Sequence, residues 1–202
     1  EGCAVAVDPR SGEVLALAGA PAYDPNDFVM GYTSGAWEAL NNDETRPLYN
    51  RCLSTWVPGS VFKPVTAALG LTNGSLNPDE DMKNEGLSWQ KDESWGSYEV
   101  TTLADYPVKN LENALIHSDN IYFAKAAVNM GEEAFSRGLD SLGFGEELEF
   151  AFDLKASAYG SEGKLGSETE LADSAYGQGK ILVNPLHLAS IYSAFVNEGN
   201  MV

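Results

Sequence analysis

The chain has 202 residues, 44% of them hydrophobic, which suffices to bury one sizeable core or one lobe of a larger domain. Its 12 basic and 30 acidic residues give a formal charge of −18, and the acidic residues are spread along the whole sequence. Such a surface repels phosphate backbones and anionic lipids, so the composition argues against nucleic-acid binding.

Cysteine and histidine are both scarce. Cys3 and Cys52 are too few for a disulfide framework, although a single bridge between them stays open. His117 and His187 show no metal-ligand spacing, so we expect no metal site. The apolar runs are far too short to cross a bilayer, and no basic leader precedes one. We expect the chain itself not to span a membrane, which leaves open an anchor outside it.

The first twenty residues predict a β-hairpin. Apolar runs at 3–8 and 13–19 are separated by the turn-forming segment Pro9-Arg10-Ser11-Gly12. Because both runs are apolar on both faces, we expect strands inside a sheet that helices cover. A two-stranded sheet is marginal by itself, so either helices cover it directly or further strands belong to it.

Helical patterns fill most of the remaining sequence, which predicts the α+β class. Residues 21–51 are rich in Pro, Asn, Asp and Gly, and they predict a long loop with a short helix near Ala36–Leu40. The later segments predict a helix from Ser60 that ends at Gly74, a polar segment over 77–106, helices over 110–116, 121–130 and 132–142, a Gly- and acid-rich segment over 143–170, and a helix over 185–197.

The stretch from Trp56 to Pro64 predicts a turn that runs into a helix. Ser60 and Lys63 are three positions apart, so their side chains leave the helix on the same face. A lysine kept neutral by desolvation can take the proton of a serine, and a helix N-terminus offers N–H groups to an oxyanion. The S-x-x-K pattern recurs at Ser88/Lys91 and Ser161/Lys164, and an ordinary capped helix start remains the alternative.

A second polar group, Ser118-Asp119-Asn120, falls in a loop between two predicted helices. A second hydroxyl can relay a proton, and an asparagine amide can bind a peptide-like carbonyl. The alternative is a helix cap made by Ser118 or Asn120. His117 lies beside Ser118, but neighbours in a turn rarely reach catalytic geometry, so we interpret His117 as a solvated loop residue.

Taken together, the two motifs resemble the active sites of penicillin-binding proteins and class A β-lactamases, which carry S-x-x-K, S-D-N and K-T-G. The resemblance covers nearly all of residues 1–202, which we interpret as a partial transpeptidase domain of the class B type. Its matching segments are Val7–Ala16, Tyr23–Asn26, Tyr49–Arg51, Ser118–Phe123, Gly177–Gly179 and Val183–Pro185.

One segment separates this family from the β-lactamases. Class A enzymes deacylate with a glutamate in an E-x-E-L-N loop. Here Glu168-Thr169-Glu170-Leu171 is followed by Ala172 instead of asparagine, and the segment leads directly to Gly177-Gln178-Gly179. We therefore interpret Glu168 and Glu170 as surface acids and favour a transpeptidase over a serine β-lactamase.

The resemblance implies roles for individual residues. Ser60 would attack the D-Ala-D-Ala carbonyl of a peptidoglycan stem peptide, with Lys63 as its base. Ser118 would relay the proton, Asn120 would bind the substrate amide, and Gly177-Gln178-Gly179 would border the substrate. The backbone N–H of Ser60 would form half of the oxyanion hole. β-Lactam antibiotics would stall the enzyme as an acyl-enzyme, and no cofactor or metal is implied.

The third family motif is missing, since no lysine is followed by Ser or Thr and then Gly. We expect the remaining sheet strands and this motif to lie beyond Val202, and the fragment to have little activity. The uncovered sheet edge would then favour self-association. The resemblance implies a parent protein at the extracytoplasmic face of the bacterial membrane, anchored by a segment outside this chain. A β-lactam sensor domain and a scaffold without chemistry remain alternatives.

Overall fold

The computed structural model describes residues 1–202, which form two compact units. The first unit comprises residues 1–56, 147–155 and 184–202, and the second comprises residues 57–146 and 156–183. In chain order the elements are β1 (Gly2–Val7), β2 (Val14–Ala20), α1 (Asn26–Met30), α2 (Ser34–Asn41), α3 (Lys63–Asn73), β3 (Ser88–Trp89), β4 (Val100–Thr101), α4 (Leu111–Ile116), α5 (Asn120–Met130), α6 (Glu132–Ser141), α7 (Glu168–Ala175) and α8 (Pro185–Ser193).

The predicted hairpin is present in the first unit. Strands β1 and β2 pair antiparallel, from Gly2 opposite Ala20 to Val7 opposite Val14. The Asp8 carboxylate accepts the N–H groups of Arg10 and Ser11, which closes the turn. The expectation of strands buried on both faces is wrong: every second residue of β1 is exposed. Helix α8 and a 3₁₀ turn at 51–53 pack against β1, and they leave its other face uncovered.

The two cysteines lie in this unit as free thiols, so the single bridge is not formed. Cys52 is fully buried, and its Sγ lies 3.4 Å from the carbonyl oxygen of Ala18. Burial, together with the neighbouring Cys3 thiol, raises the pKa of Cys52 to about 11. Cys52 therefore behaves as a small apolar residue in the core.

Helix α5 is the centre of the second unit. Seven of its eleven residues are buried and only Asn129 is exposed, which is the pattern of a helix largely surrounded by other elements. It packs against α3, α4, α6, α7 and β4. Helices α3 and α6 also meet at Gly138, where a Cβ atom would come within 2.8 Å of the Leu69 side chain. This packing fixes the start of α3 and the start of α5, which carry the two sequence motifs.

Several boundaries differ from the sequence expectations. Residues 59–62 form a 3₁₀ turn before α3 instead of the first turn of an α-helix. The helix predicted over 185–197 is shorter, because α8 ends at Ser193 and a 3₁₀ turn follows at 194–196. The sequence patterns missed α1, α7 and the β3–β4 hairpin. These elements are short, and tertiary contacts stabilise them more than local periodicity does. No helix of the chain is long and apolar enough to cross a bilayer.

Candidate active site

The turn before α3 presents Ser60 to solvent and buries Lys63. Gly59 has a φ of +62°, which a glycine adopts without strain, and Phe62 is fully buried against the ring of Phe144. The phenyl anchor fixes the rotation of this turn. As a result Ser60 is exposed, whereas Lys63 is only 1% exposed. A solvent-exposed hydroxyl thus lies beside a buried amine.

The amine of Lys63 lies at the centre of the predicted constellation. Its Nζ lies 3.1 Å from Ser60 Oγ and 2.9 Å from Ser118 Oγ. It donates to the Ser118 carbonyl oxygen at 2.6 Å and to Asn120 Oδ1 at 2.7 Å. The structure therefore brings together Ser60, Lys63, Ser118 and Asn120, as the sequence motifs predicted.

These four contacts fit a neutral amine. The Ser118 carbonyl and Asn120 Oδ1 can only accept, so they take both hydrogens of a neutral Lys63. Its single lone pair can then accept a hydrogen bond from one of the two hydroxyls beside it, that of Ser60 or that of Ser118. A lysine in this arrangement can accept the proton of Ser60.

The charge state of Lys63 is shifted in the same direction. Burial disfavours the ammonium form and lowers the pKa of Lys63 to about 8, although the Asp119 carboxylate opposes the shift. A substantial neutral fraction is thus present near physiological pH, which general-base catalysis requires.

The loop between α4 and α5 is shaped by Asp119. Its carboxylate accepts the N–H groups of Ile121 and Tyr122 at the start of α5, and its other oxygen accepts the hydroxyl of Tyr106 at 2.6 Å. The predicted cap therefore exists, but Asp119 makes it instead of Ser118 or Asn120. Both flanking side chains are left to face Lys63.

Ser118 has a φ of +51°, a region that non-glycine residues rarely occupy. This left-handed conformation directs both its hydroxyl and its carbonyl oxygen toward Lys63. Strain of this kind costs about 1–3 kcal/mol and is concentrated at functional sites. The packing around the loop sustains the conformation.

Asn120 connects the site to strand β4. Its Nδ2 donates to the carbonyl oxygen of Thr101 at 2.9 Å while Oδ1 accepts from Lys63. One amide hydrogen remains for a ligand. Tyr106 and Thr101 were missed by the sequence analysis, because nothing in the local pattern connects them with the two motifs. Asp119 could have been found, since an Asp before an apolar helix is a cap signal.

The Gly177-Gln178-Gly179 turn borders the nucleophile from α7. The carbonyl oxygen of Gly177 accepts the N–H of Gly59 at 2.8 Å. A Cβ on Gly177 would lie 2.0 Å from Gly59 O, so only glycine permits this approach. Gln178 is exposed beside Gly59, whereas Gly179 packs against Asp173. The turn thus supports the backbone that carries Ser60.

The other S-x-x-K matches do not form sites. Lys91 pairs with Glu168, and the backbones of Ser161 and Lys164 bond across a tight turn. The interpretation as surface acids holds in part for Glu168, whose side chain is 35% exposed, and is wrong for Glu170. Glu168 also accepts the indole N–H of Trp95, and the Glu170 side chain is only 13% exposed. His117 is exposed as expected and stacks on the ring of Tyr106.

No group of His, Cys, Asp and Glu side chains is arranged to hold a metal ion. The site consists of a nucleophilic hydroxyl, a buried amine, a second hydroxyl and a carboxamide. These are the groups that serine acyl transfer with a lysine base requires.

Comparison with known proteins gives a consistent assignment. The family described as the penicillin-binding protein transpeptidase domain matches residues 2–202. Penicillin-binding protein 3 of Bacillus subtilis is 46% identical over 202 residues, covering 100% of this chain and 30% of that protein. Peptidoglycan D,D-transpeptidase MrdA of Acinetobacter baumannii is 29% identical over 212 residues, covering 100% of this chain and 31% of that protein. The chain therefore belongs to the penicillin-binding protein transpeptidase domain family.

Solved structures agree with this assignment. Penicillin-binding protein A of M. tuberculosis, as its ceftriaxone acyl-enzyme, matches with a TM-score of 0.85 and 25% identity over 98% of this chain and 45% of that one. Pseudomonas aeruginosa PBP2 in complex with WCK 5153 matches with a TM-score of 0.86 and 28% identity over 100% of this chain and 48% of that one. The α+β fold class is confirmed. The chain spans about a third of the length of the curated relatives named above.

Proposed function

We propose that the protein is a peptidoglycan D,D-transpeptidase that works through an acyl-enzyme on Ser60. The observation that carries this proposal is the position of Lys63 Nζ, 3.1 Å from Ser60 Oγ and 2.9 Å from Ser118 Oγ. The relatives named as D,D-transpeptidases and as penicillin-binding proteins support the substrate class.

In the first half-reaction, Ser60 Oγ attacks the carbonyl carbon between the two D-alanines of a stem peptide, and its proton moves to Lys63. The N–H of Ser60, in the first turn where no intrahelical acceptor exists, would stabilise the oxyanion. Ser118 relays the proton from Lys63 to the departing D-Ala amine. The C–N bond breaks and an ester to Ser60 remains.

In the second half-reaction, the amine of another stem peptide attacks the ester carbonyl. Lys63 takes the proton of that amine and returns one to Ser60 Oγ as the C–O bond breaks. Asn120 would hold the substrate amide through its free Nδ2 hydrogen, with Gly177-Gln178-Gly179 along one side. A β-lactam would acylate Ser60 by ring opening, with its leaving nitrogen retained in the adduct.

The surroundings of Glu168 and Glu170 support a transpeptidase over a β-lactamase. Glu168 is occupied by Lys91 and Trp95, and Glu170 accepts the N–H of Gly166. No hydrogen bond or ion pair joins either carboxylate to Ser60, Lys63 or Ser118. We expect a long-lived acyl-enzyme, which also distinguishes the protein from a β-lactam hydrolase.

The test is acylation by a fluorescent penicillin. In the full-length protein, Ser60→Ala should abolish labelling and Lys63→Ala should reduce it at least about 10³-fold, since the base is lost. Ser161→Ala, in another S-x-x-K match, should label like the wild type. Labelling that survives Ser60→Ala would contradict the proposal. Residues 1–202 alone should label far more slowly, because they carry no K-[ST]-G motif.

We propose two further properties, one from the substrate and one from the fold. Peptidoglycan lies outside the cytoplasmic membrane, so we propose an extracytoplasmic location with an anchor outside these residues. The open edges of the β1–β2 hairpin would let isolated copies of the chain associate.

A further inference from the structure

Beside the proposed site, two tyrosines and an aspartate form a compact polar cluster that the mechanism above does not use. The phenolic hydroxyls of Tyr98 and Tyr176 both donate to Oδ1 of Asp173. The two phenolic oxygens lie 3.2 Å apart. We call Tyr98, Asp173 and Tyr176 the tyrosine–aspartate cluster.

The cluster is buried enough to be rigid. Tyr176 is almost fully buried, and Tyr98 and Asp173 are half-buried. Burial raises the pKa of Tyr98 to about 12, and it raises the pKa of Tyr176 as well. Both hydroxyls thus remain donors throughout the pH range in which an enzyme works. Hydrogen bonds to a charged acceptor are among the stronger ones in proteins.

On one side, Asp173 fixes the turn behind the nucleophile. Its backbone carbonyl accepts the N–H of Gln178 at 3.0 Å and that of Tyr176 at 3.3 Å. The intervening Gly177 carbonyl accepts the N–H of Gly59, the residue before Ser60. A displacement of Asp173 would therefore move the support of the Ser60 turn.

On the other side, Tyr98 fixes the strand that holds Asn120. The backbone oxygen of Tyr98 accepts the side-chain amide of Gln90 at 3.2 Å, which closes the β3–β4 hairpin. Val100, two residues later, is fully buried, and the carbonyl of Thr101 accepts from Asn120 Nδ2. The position of Tyr98 is thereby transmitted to the carboxamide of Asn120.

We propose that the tyrosine–aspartate cluster positions the active site by joining the turn that supports Ser60 to the strand that holds Asn120. Its three members are positioning residues, which act through Gly177 and Thr101. This inference rests on the proposed function of Ser60. The cluster sets the separation between the nucleophile and the amide ligand, so it governs the bond-forming step more than the initial binding of substrate.

The experiment compares acylation of the full-length protein by a chromogenic β-lactam in Tyr98→Phe, Tyr176→Phe and Asp173→Asn. Each variant should lower the first-order acylation constant by about 10–100-fold, with a smaller change in the concentration for half-maximal rate. The two tyrosine effects should be non-additive, because both hydroxyls share Oδ1 of Asp173. The matched control is Tyr159→Phe, which removes a tyrosine–aspartate bond to Asp140 but keeps the ring that packs on Phe144.

Stability is separated from positioning by two readouts. Thermal unfolding should report similar losses for Tyr98→Phe and Tyr159→Phe, while only Tyr98→Phe slows acylation. Amide exchange in residues 57–62 and 176–179 should speed up in Asp173→Asn and stay unchanged in Tyr159→Phe. Equal acylation constants in Tyr98→Phe, Asp173→Asn and the control would overturn the inference alone. A wild-type protein that is never acylated at Ser60 would overturn the proposed function as well.

Discussion

The burial of the Lys63 amine determines its protonation state, on which the proposed chemistry of the site depends. A lysine on a surface helix stays protonated, but Lys63 is 1% exposed and its amine lies over the ring of Phe123 on α5, where the ammonium form is poorly solvated. Its contacts with the Ser118 carbonyl and Asn120 Oδ1 hold the amine in place without supplying a paired charge. The proposed role of Lys63 as a base therefore depends on its burial and not on a neighbouring charge.

The lowered pKa of Lys63, about 8, predicts the pH dependence of acylation. The base must be neutral, so the rate should fall about tenfold for each pH unit below that value and level off above it. Rapid-mixing kinetics with a chromogenic β-lactam would measure the profile. Lys125 is a matched control, because burial also lowers its pKa. Its amine donates to the carbonyl oxygen of Lys83 and not to a serine hydroxyl. Lys125→Met should keep the profile, and a flat wild-type profile would refute Lys63 as the base.

Secondary-structure ends place the functional groups more than helix interiors do. Ser60 stands in the 3₁₀ turn before α3, and Ser118 precedes the cap of α5. Gly177 follows the end of α7 and meets Gly59. At each of these ends the backbone leaves helical geometry, so side chains and carbonyls can point into a common space. The elements are rigid because α5 is surrounded by the others.

Gly177→Ala tests the contact between the end of α7 and the Ser60 turn. Its Cβ would lie 2.0 Å from Gly59 O, so the turn must move, and acylation should fall by about 10²-fold or more. Gly74→Ala, at the end of α3, is the control. It has a similar φ of +76° but open space at its Cβ. Gly74→Ala should cost only about 1 kcal/mol of folding free energy and leave acylation unchanged.

Acylation constants and urea unfolding would separate the two effects. If Gly177→Ala acylates as fast as Gly74→Ala, the Gly177 turn does not support the nucleophile. The same conclusion would follow if both variants lost folding stability but kept the wild-type acylation rate.

On the scale of the whole molecule, the acidic charge opposes association between copies of the chain, whereas the open hairpin favours it. The formal charge of −18 keeps copies of the chain apart. The β1–β2 hairpin, however, is paired only with itself and exposes 63% of Leu15. Unpaired strand edges with apolar side chains favour pairing between molecules.

We therefore predict that residues 1–202, prepared alone, associate reversibly through the hairpin, and more so at high salt, which screens the charge. Leu15→Lys should shift the equilibrium toward the monomer by adding a charge to the hairpin. Leu103→Lys, at a leucine 98% exposed and outside the hairpin, should leave it unchanged. Sedimentation equilibrium measures both variants. A chain that is monomeric at every salt concentration would contradict the prediction.

The sequence by itself determined the family-level chemistry, because the necessary information is local. Ser60 and Lys63 are one helical turn apart, and the Ser118-Asp119-Asn120 group precedes an apolar helix, so their spacing depends only on helix geometry. The hairpin and the longer helices followed from periodicity for the same reason. Helix α7 and strands β3 and β4 could not be predicted from periodicity. Their positions depend on residues distant in the sequence, as in the pairs Lys91 with Glu168 and Tyr98 with Asp173.

Only the tertiary structure decided how the motifs act on one another. The approach of Ser118 and Asn120 to Lys63, 55 and 57 positions earlier in the chain, depends on the packing of α5 against α3. Glu170 looked like a surface acid and is largely buried, while Tyr106 carried no local signal and bonds to Asp119. The burial that lowers the pKa of Lys63 depends on all the residues packed around it. Those residues come from distant segments, so no short stretch of sequence predicts it.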